Sequence, residues 1–152
     1  MLEYFLIVFV IALALAPLSH FLPSKRQRKV ASMREYAAVH GLFVEFRALP
    51  DVGGMQLATG ISSGQAIYYG RRLPNKRAGQ IDSGTWIHSA EGWRSLGRRL
   101  PVPSPLLALS KDISVASVDQ FSCGIYWTES SGEGAVEQIR QVLEGWSEQL
   151  IR

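Results

Sequence analysis

The sequence predicts an α+β chain: an N-terminal transmembrane helix, then a cytosolic antiparallel sheet of about six strands flanked by a juxtamembrane helix and a C-terminal amphipathic helix. Three observations predict it. No charged side chain lies between Tyr4 and Ser24. Between residues 42 and 130, short alternating apolar runs are broken by Gly, Pro, Asn and Asp, with no long helical pattern between them. From Ala135 to Arg152 apolar residues return every three or four positions. The 152 residues leave room for one modest domain. A hydrophobic content of 47% excludes a disordered chain, and a single cysteine excludes both a disulfide framework and a zinc site of several thiolates. The expected division is an anchor at 1–24, a basic juxtamembrane helix at 25–41 and a cytosolic α+β domain at 42–152.

The apolar run 4–24 holds 21 residues, enough for a helix to cross a bilayer core of ~30 Å at ~1.5 Å per residue. Glu3 closes it on one side. Lys25, Arg26, Gln27, Arg28 and Lys29 close it on the other. A cleaved secretory signal is the rival reading. It needs a positive N-terminal region, where this chain has only Glu3, and cutting after Ala14-Leu15-Ala16 would leave Pro17 first. We therefore expect an uncut anchor, with Met1 outside and everything from residue 25 in the cytosol, because Lys and Arg stay on the cytoplasmic side. Ala12, Ala16 and Ser19 share one helix face and form a candidate surface for docking another helix. Pro17 removes a backbone donor and should loosen the last turns. His20 admits a buried proton-relay role, but its place five residues before Lys25 favours an interfacial position.

Ser24 is the expected cap of a helix through 25–40 that stops at Gly41, with Val30, Met33 and Ala37 on its apolar side. Alternation then predicts a strand at 42–49, with Leu42, Val44, Phe46 and Ala48 on one face. Pro50–Gly54 reads as a turn, 55–60 as a weak strand, 65–73 as a better one and 74–84 as a polar loop. The runs 85–90 and 93–96 flank Glu91-Gly92 and suit a tight hairpin. An extended Pro-Val-Pro-Ser-Pro segment at 101–105 precedes a short apolar helix at 106–110. Strands at 112–118 and 123–130 follow. The final helix carries Val136, Ile139, Leu143, Trp146 and Leu150 on one stripe, which should pack on an open sheet face; Gly145 weakens it. This order of elements is similar to the pleckstrin-homology-like layout, an analogy that carries no function.

Charge is polarised along the chain, with +8 over residues 25–100 and −4 over 101–152. A basic half tethered to a negative surface should turn toward it. The candidate lipid-headgroup contacts are Lys25, Arg26, Arg28, Lys29, Arg71, Arg72, Lys76 and Arg77; Arg98 and Arg99 are further cations. Solvated loop charges are the plainer reading of the later ones. Trp86, Trp93, Tyr68 and Tyr69 near basic residues admit nucleic-acid stacking, but they sit in strand patterns and read as core; no nucleic-acid partner is expected.

No catalytic constellation emerges. His40 beside Gly41 reads as a C-terminal cap, His88 alternates with Trp86 and reads as packing, and no histidine pair has metal-ligand spacing. Cys123 reads as a small buried apolar residue. The stretch 59–64 lacks the lysine and the long helix of a phosphate loop, and the prolines at 101, 103 and 105 lack PxxP spacing. No cofactor, metal or small-molecule substrate is expected.

The stretch FLIVFV…FLPSKRQRKVASMREY resembles the start of the YajC-type accessory subunit of the bacterial protein-export translocase. That family carries a proline and a Lys/Arg/Gln cluster after its single span, as Pro23 and Lys25–Lys29 do here, and then a small cytoplasmic β-rich domain with a Gly-Gly turn that Gly53-Gly54 echoes. The resemblance covers about the first 35 residues. The longer soluble part, the proline-rich segment and the C-terminal helix depart from it. It implies a non-catalytic accessory role beside a membrane complex. The sequence thus leads us to expect a single-span inner-membrane scaffold that presents a protein-binding domain. A module for anionic headgroups and a small membrane-bound enzyme are the alternatives.

Overall fold

The computed structural model describes residues 1–53, 66–74 and 81–152, the side chains of 19–21 apart. The apolar start forms helix α1, Leu2–Leu15, with no buried residue. It does not continue to Ser24. A 3-10 helix takes over at Ala16–Phe21, because Pro17 has no N–H for the Leu13 carbonyl and its ring crowds that carbonyl. Among the described residues no helix is long and apolar enough to cross a membrane. Helix α2, Lys25–Val39, starts as its sequence requires. Ser24 Oγ accepts from the Gln27 N–H at 3.2 Å, and Gln27 Oε1 accepts from the Ser24 N–H at 2.8 Å. This reciprocal box satisfies two donors at the helix start.

Six antiparallel strands form one sheet in the order β1-β2-β6-β5-β3-β4: β1 Phe43–Glu45, β2 Ile67–Arg72, β3 Gly84–Ser89, β4 Gly92–Ser95, β5 Val115–Val118 and β6 Ser122–Trp127. The pairings β2·β6 and β3·β5 are not between consecutive strands. Helix α3 spans Glu133–Ile151.

Alternation sorts the strands onto two faces. Ile67, Tyr69, Trp86, Ala116, Val118, Cys123, Ile125 and Trp127 pack with Met33 and Ala37 of α2 and with the α3 stripe Val136, Ile139, Leu143 and Trp146. The opposite face gathers Ala66, Tyr68, Ile87, Val115 and Tyr126 under Leu49 and Val52 of the β1–β2 connection.

Local departures have local reasons. The strand expected at 42–49 ends at Glu45, so Leu42 is buried but Phe46 is exposed, lying beneath the Arg34 guanidinium at 5.3 Å. The hairpin loop is Ala90-Glu91, one residue earlier than expected: Ser89 pairs with Gly92, whose φ of 106° only glycine adopts readily. The expected apolar helix at 106–110 is a 3-10 helix, Ser104–Ala108, begun by Pro105. The expected strand 55–60, the glycine-rich stretch 59–64, Gly54, Lys76 and Arg77 lie outside the described residues.

Candidate functional site

Ala12 and Ala16 both lie at the surface, Ala12 on α1 and Ala16 at the start of the 3-10 helix. Ser19 falls within that 3-10 helix. At the start of α2, Lys25, Arg26 and Arg28 are exposed, and no acidic residue occupies the first turn. Their charges oppose the positive end of the helix dipole.

Three other cations of that set, Lys29, Arg71 and Arg72, make contacts within the fold, although Lys29 and Arg72 stay exposed. Lys29 donates from Nζ to the Ser130 carbonyl at 3.4 Å, and Arg71 pairs with Glu144 at 3.6 Å. Arg72 lies over the Phe43 ring at 5.3 Å.

A polar ladder joins α2 to α3 and to the end of β6. Arg34 donates two N–H groups to the Glu129 carboxylate, each at 2.7 Å, and the Tyr69 hydroxyl donates to the same carboxylate at 2.8 Å. The Glu129 side chain is 4% exposed, and its backbone holds φ at 54°, a left-handed conformation for a residue with a Cβ. Burial and the bond to Glu129 push the Tyr69 hydroxyl far above its ordinary value. Ser32 donates to Glu133, and Tyr36 to Glu137 at 2.7 Å. Arg140, Tyr36 and Gln141 all donate to Glu137 and hold its carboxyl far below the carboxylate range. Sequence reasoning missed Glu129: its partners are 95 and 60 residues away, and nothing local marks them.

A second cluster occupies the other sheet face. Gly70 pairs with Gly124 across β2 and β6, and together they make a flat bed under the Tyr68 ring. The Arg47 guanidinium covers that ring at 4.0 Å and is held by Glu45 at 2.8 Å and Asp119 at 3.3 Å. The Tyr68 hydroxyl meets Ser122 Oγ at 3.3 Å, and burial pushes it up to about 12.

Cys123, His40 and His88 each make contacts within the fold. Cys123 is buried, its thiol donates to the Leu143 carbonyl at 3.9 Å, and burial raises it to about 12. That disfavours the nucleophilic thiolate. His40 stacks on Tyr36 at 4.0 Å and donates from Nδ1 to the Tyr36 carbonyl at 2.8 Å, the cap the sequence suggests. His88 lies edge-on to Trp93 at 5.1 Å, and burial, then the nearby Lys111 charge, lowers its pKa. Among the described residues, His88 Nδ1 and Trp127 Nε1 are buried without a hydrogen-bond partner, and no group of three or more His, Cys, Asp or Glu side chains is placed to hold a metal.

One concavity with apolar walls was not foreseen. A cavity of about 570 Å³ opens between the proline-rich segment, the C-terminal turns of α3 and strands β3 and β5. Trp86 and Trp146 line it, meeting edge to face at 5.5 Å. The Trp86 indole N–H donates to the Pro101 carbonyl at 3.1 Å and ties the segment down. The sequence signals were Pro101, Pro103 and a tryptophan on each of two packing faces, but no spacing rule joins them. Comparison of the chain with protein families, with curated proteins and with solved structures finds no match.

Proposed function

We propose that this chain is a non-catalytic, single-span accessory protein of a bacterial-type inner membrane, its N-terminus outside and its α+β module presenting a cytosolic surface to a membrane complex. The observation that carries this reading is the adjacency of an apolar helix with no buried residue and an exposed cationic first turn on α2. Helix α1 rises only about 21 Å by itself. The 3-10 helix extends the uncharged segment by up to about 12 Å, which brings it to the ~30 Å of a hydrocarbon core. Lys25, Arg26 and Arg28 then fall at the headgroups, where each cation contributes ~1 kcal/mol on an anionic leaflet. The burial of Cys123 and the bond of His40 to the Tyr36 carbonyl support a binding role over a catalytic one. The YajC-type resemblance implies the same accessory role.

The test pairs topology with association. A C-terminal reporter active only in the cytosol, alkaline-resistant membrane association, and co-purification with an integral membrane protein are the expected results. A reporter active only outside, or release by alkaline wash, overturns the anchor. A lone monomer after gentle extraction overturns the accessory role. Binding to an anionic headgroup is the second reading, favoured by the same exposed turn. Arg71 and Lys29 are engaged within the fold, so that contact would centre on Lys25, Arg26 and Arg28, with Arg72 the remaining candidate among the described residues. Association of the intact chain that tracks vesicle phosphatidylglycerol and fades with salt, without any protein partner, is its signature.

A further inference from the structure

The cavity beside the proline-rich segment has a one-sided polarity. Ile81, Leu100, Val102, Val118 and Leu150 give it apolar walls, with Trp86 and Trp146 among them. Pro101 and Pro103 have no N–H to offer. The Trp86 indole N–H is committed to the Pro101 carbonyl at 3.1 Å, and a Gln149 amide N–H to Ser104 Oγ at 2.9 Å. No Lys, Arg or His lines the cavity among the described residues. The one formal charge on its wall is Asp82, an exposed carboxylate with no ion pair among the described residues. A neighbouring polar cleft shares Asp82 and has Arg98 on its wall, so the carboxylate stands where the apolar and polar spaces meet.

We propose that this cavity binds a primary ammonium carried on an apolar stem, the stem against Val102, Leu150 and the tryptophans and the head at Asp82. A volume of about 570 Å³ suits a small ligand. The Asp82 carboxylate, with no Lys, Arg or His on the same wall among the described residues, favours a cation over a neutral or anionic head. A free alkylamine and a lysine side chain from a docking protein supply the same chemistry. The inference is independent of the membrane reading.

The test is titration of n-butylammonium into the full-length chain in detergent, followed through the indole N–H resonances of Trp86 and Trp146. Butanol and butanoate serve as the neutral and anionic counterparts. Both resonances should shift saturably with butylammonium, less readily with butanol and not with butanoate. Asp82→Asn should weaken butylammonium binding by about fivefold, the scale of one partly exposed ion pair, and leave butanol binding and the remaining amide spectrum unchanged. Asp82 is at the surface, so this variant keeps the fold. Nα-acetyl-lysine amide binding as well as butylammonium assigns the site to a protein lysine, and binding of butylammonium alone assigns it to a free amine. Unmoved indole resonances, equal binding of butanoate, or unchanged affinity in the Asp82→Asn chain would overturn the proposal.

Discussion

Replacing Arg34 by methionine should destabilise the chain more than any conservative change to its partner. The Glu129 side chain is 4% exposed and receives two bonds from Arg34 at 2.7 Å and one from the Tyr69 hydroxyl at 2.8 Å. Arg34→Met strands that carboxylate with a single neutral donor. An uncompensated buried charge costs about 3–5 kcal/mol. The Arg34 side chain is 34% exposed, so water reaches the site and reduces the expected cost to about 2–3 kcal/mol. Glu129→Gln removes the charge but keeps an acceptor, and the freed guanidinium turns to solvent, so about 1 kcal/mol is expected. The double variant should be more stable than Arg34→Met alone, because no charge is then stranded. Urea unfolding of the full chain, followed by tryptophan emission, gives the three midpoints. At a slope of about 1–3 kcal/mol/M, Arg34→Met should lower the midpoint by about 0.7–3 M. A Glu129→Gln cost equal to that of Arg34→Met, or a double variant less stable than Arg34→Met, would refute the reasoning.

Three further outcomes follow from packing and burial. A Cβ on Gly124 would lie 2.4 Å from the Tyr68 ring and 2.5 Å from the Tyr69 carbonyl oxygen, so Gly124→Ala should cost about 2–3 kcal/mol by thermal melting; a cost under about 0.5 kcal/mol counts against this packing. Gly145 lies inside α3, where an added Cβ meets, among the described residues, only Pro105 at 3.8 Å, so Gly145→Ala should stabilise by about 0.5–1 kcal/mol in the same melts. Burial raises Cys123 from 9.0, and Tyr68 from 10.0, to about 12. Above pH 9 the unfolded chain loses these protons first, so stability present below pH 9 should drain away as pH rises toward about 12. Urea midpoints across that range should fall, with Cys123 resisting iodoacetamide until the chain unfolds; flat or rising midpoints contradict the assignment.

What was legible in the sequence was whatever rests on a local period or a local cap. Ser24 at the head of α2, the α3 stripe from Val136 to Leu150, and the short apolar runs of β2 and β6 between turn residues each follow from residues a few positions apart. The antiparallel α+β class follows from them. Strand order did not: the β2·β6 and β3·β5 pairings join distant segments, and each strand offers the same backbone donors and acceptors to any partner. The Arg34–Glu129–Tyr69 group was illegible for the same reason. The Gly70–Gly124 bed needed a register before the two glycines could be seen as neighbours. The Trp86–Trp146 cavity needed both a sheet face and the placement of a helix end. Pro17 was readable as a disturbance, yet how far it shortened α1 depended on how the chain re-forms its bonds as a 3-10 helix.

The polarised charge of the chain finds its meaning in how the fold consumes it. Arg34 pairs with Glu129, Arg47 with Glu45 and Asp119, and Arg71 with Glu144, while Lys29 turns to the Ser130 carbonyl. The basic half is thus partly neutralised, much of it by acidic residues contributed after the sheet. Lys25, Arg26 and Arg28 stay exposed at the start of α2, where each opposes the helix dipole at a cost of about 0.3–1 kcal/mol. An anionic surface returning ~1 kcal/mol per cation offsets a penalty of that size, which is the energetic content of the proposed membrane contact. The same helix is fastened to the module through Arg34, Ser32 and Tyr36. On the proposed reading, the contact that fixes α2 at the headgroups therefore also fixes the direction in which α3 and the Trp86–Trp146 cavity face. Cutting the Arg34–Glu129 tie would loosen that orientation as well as the fold.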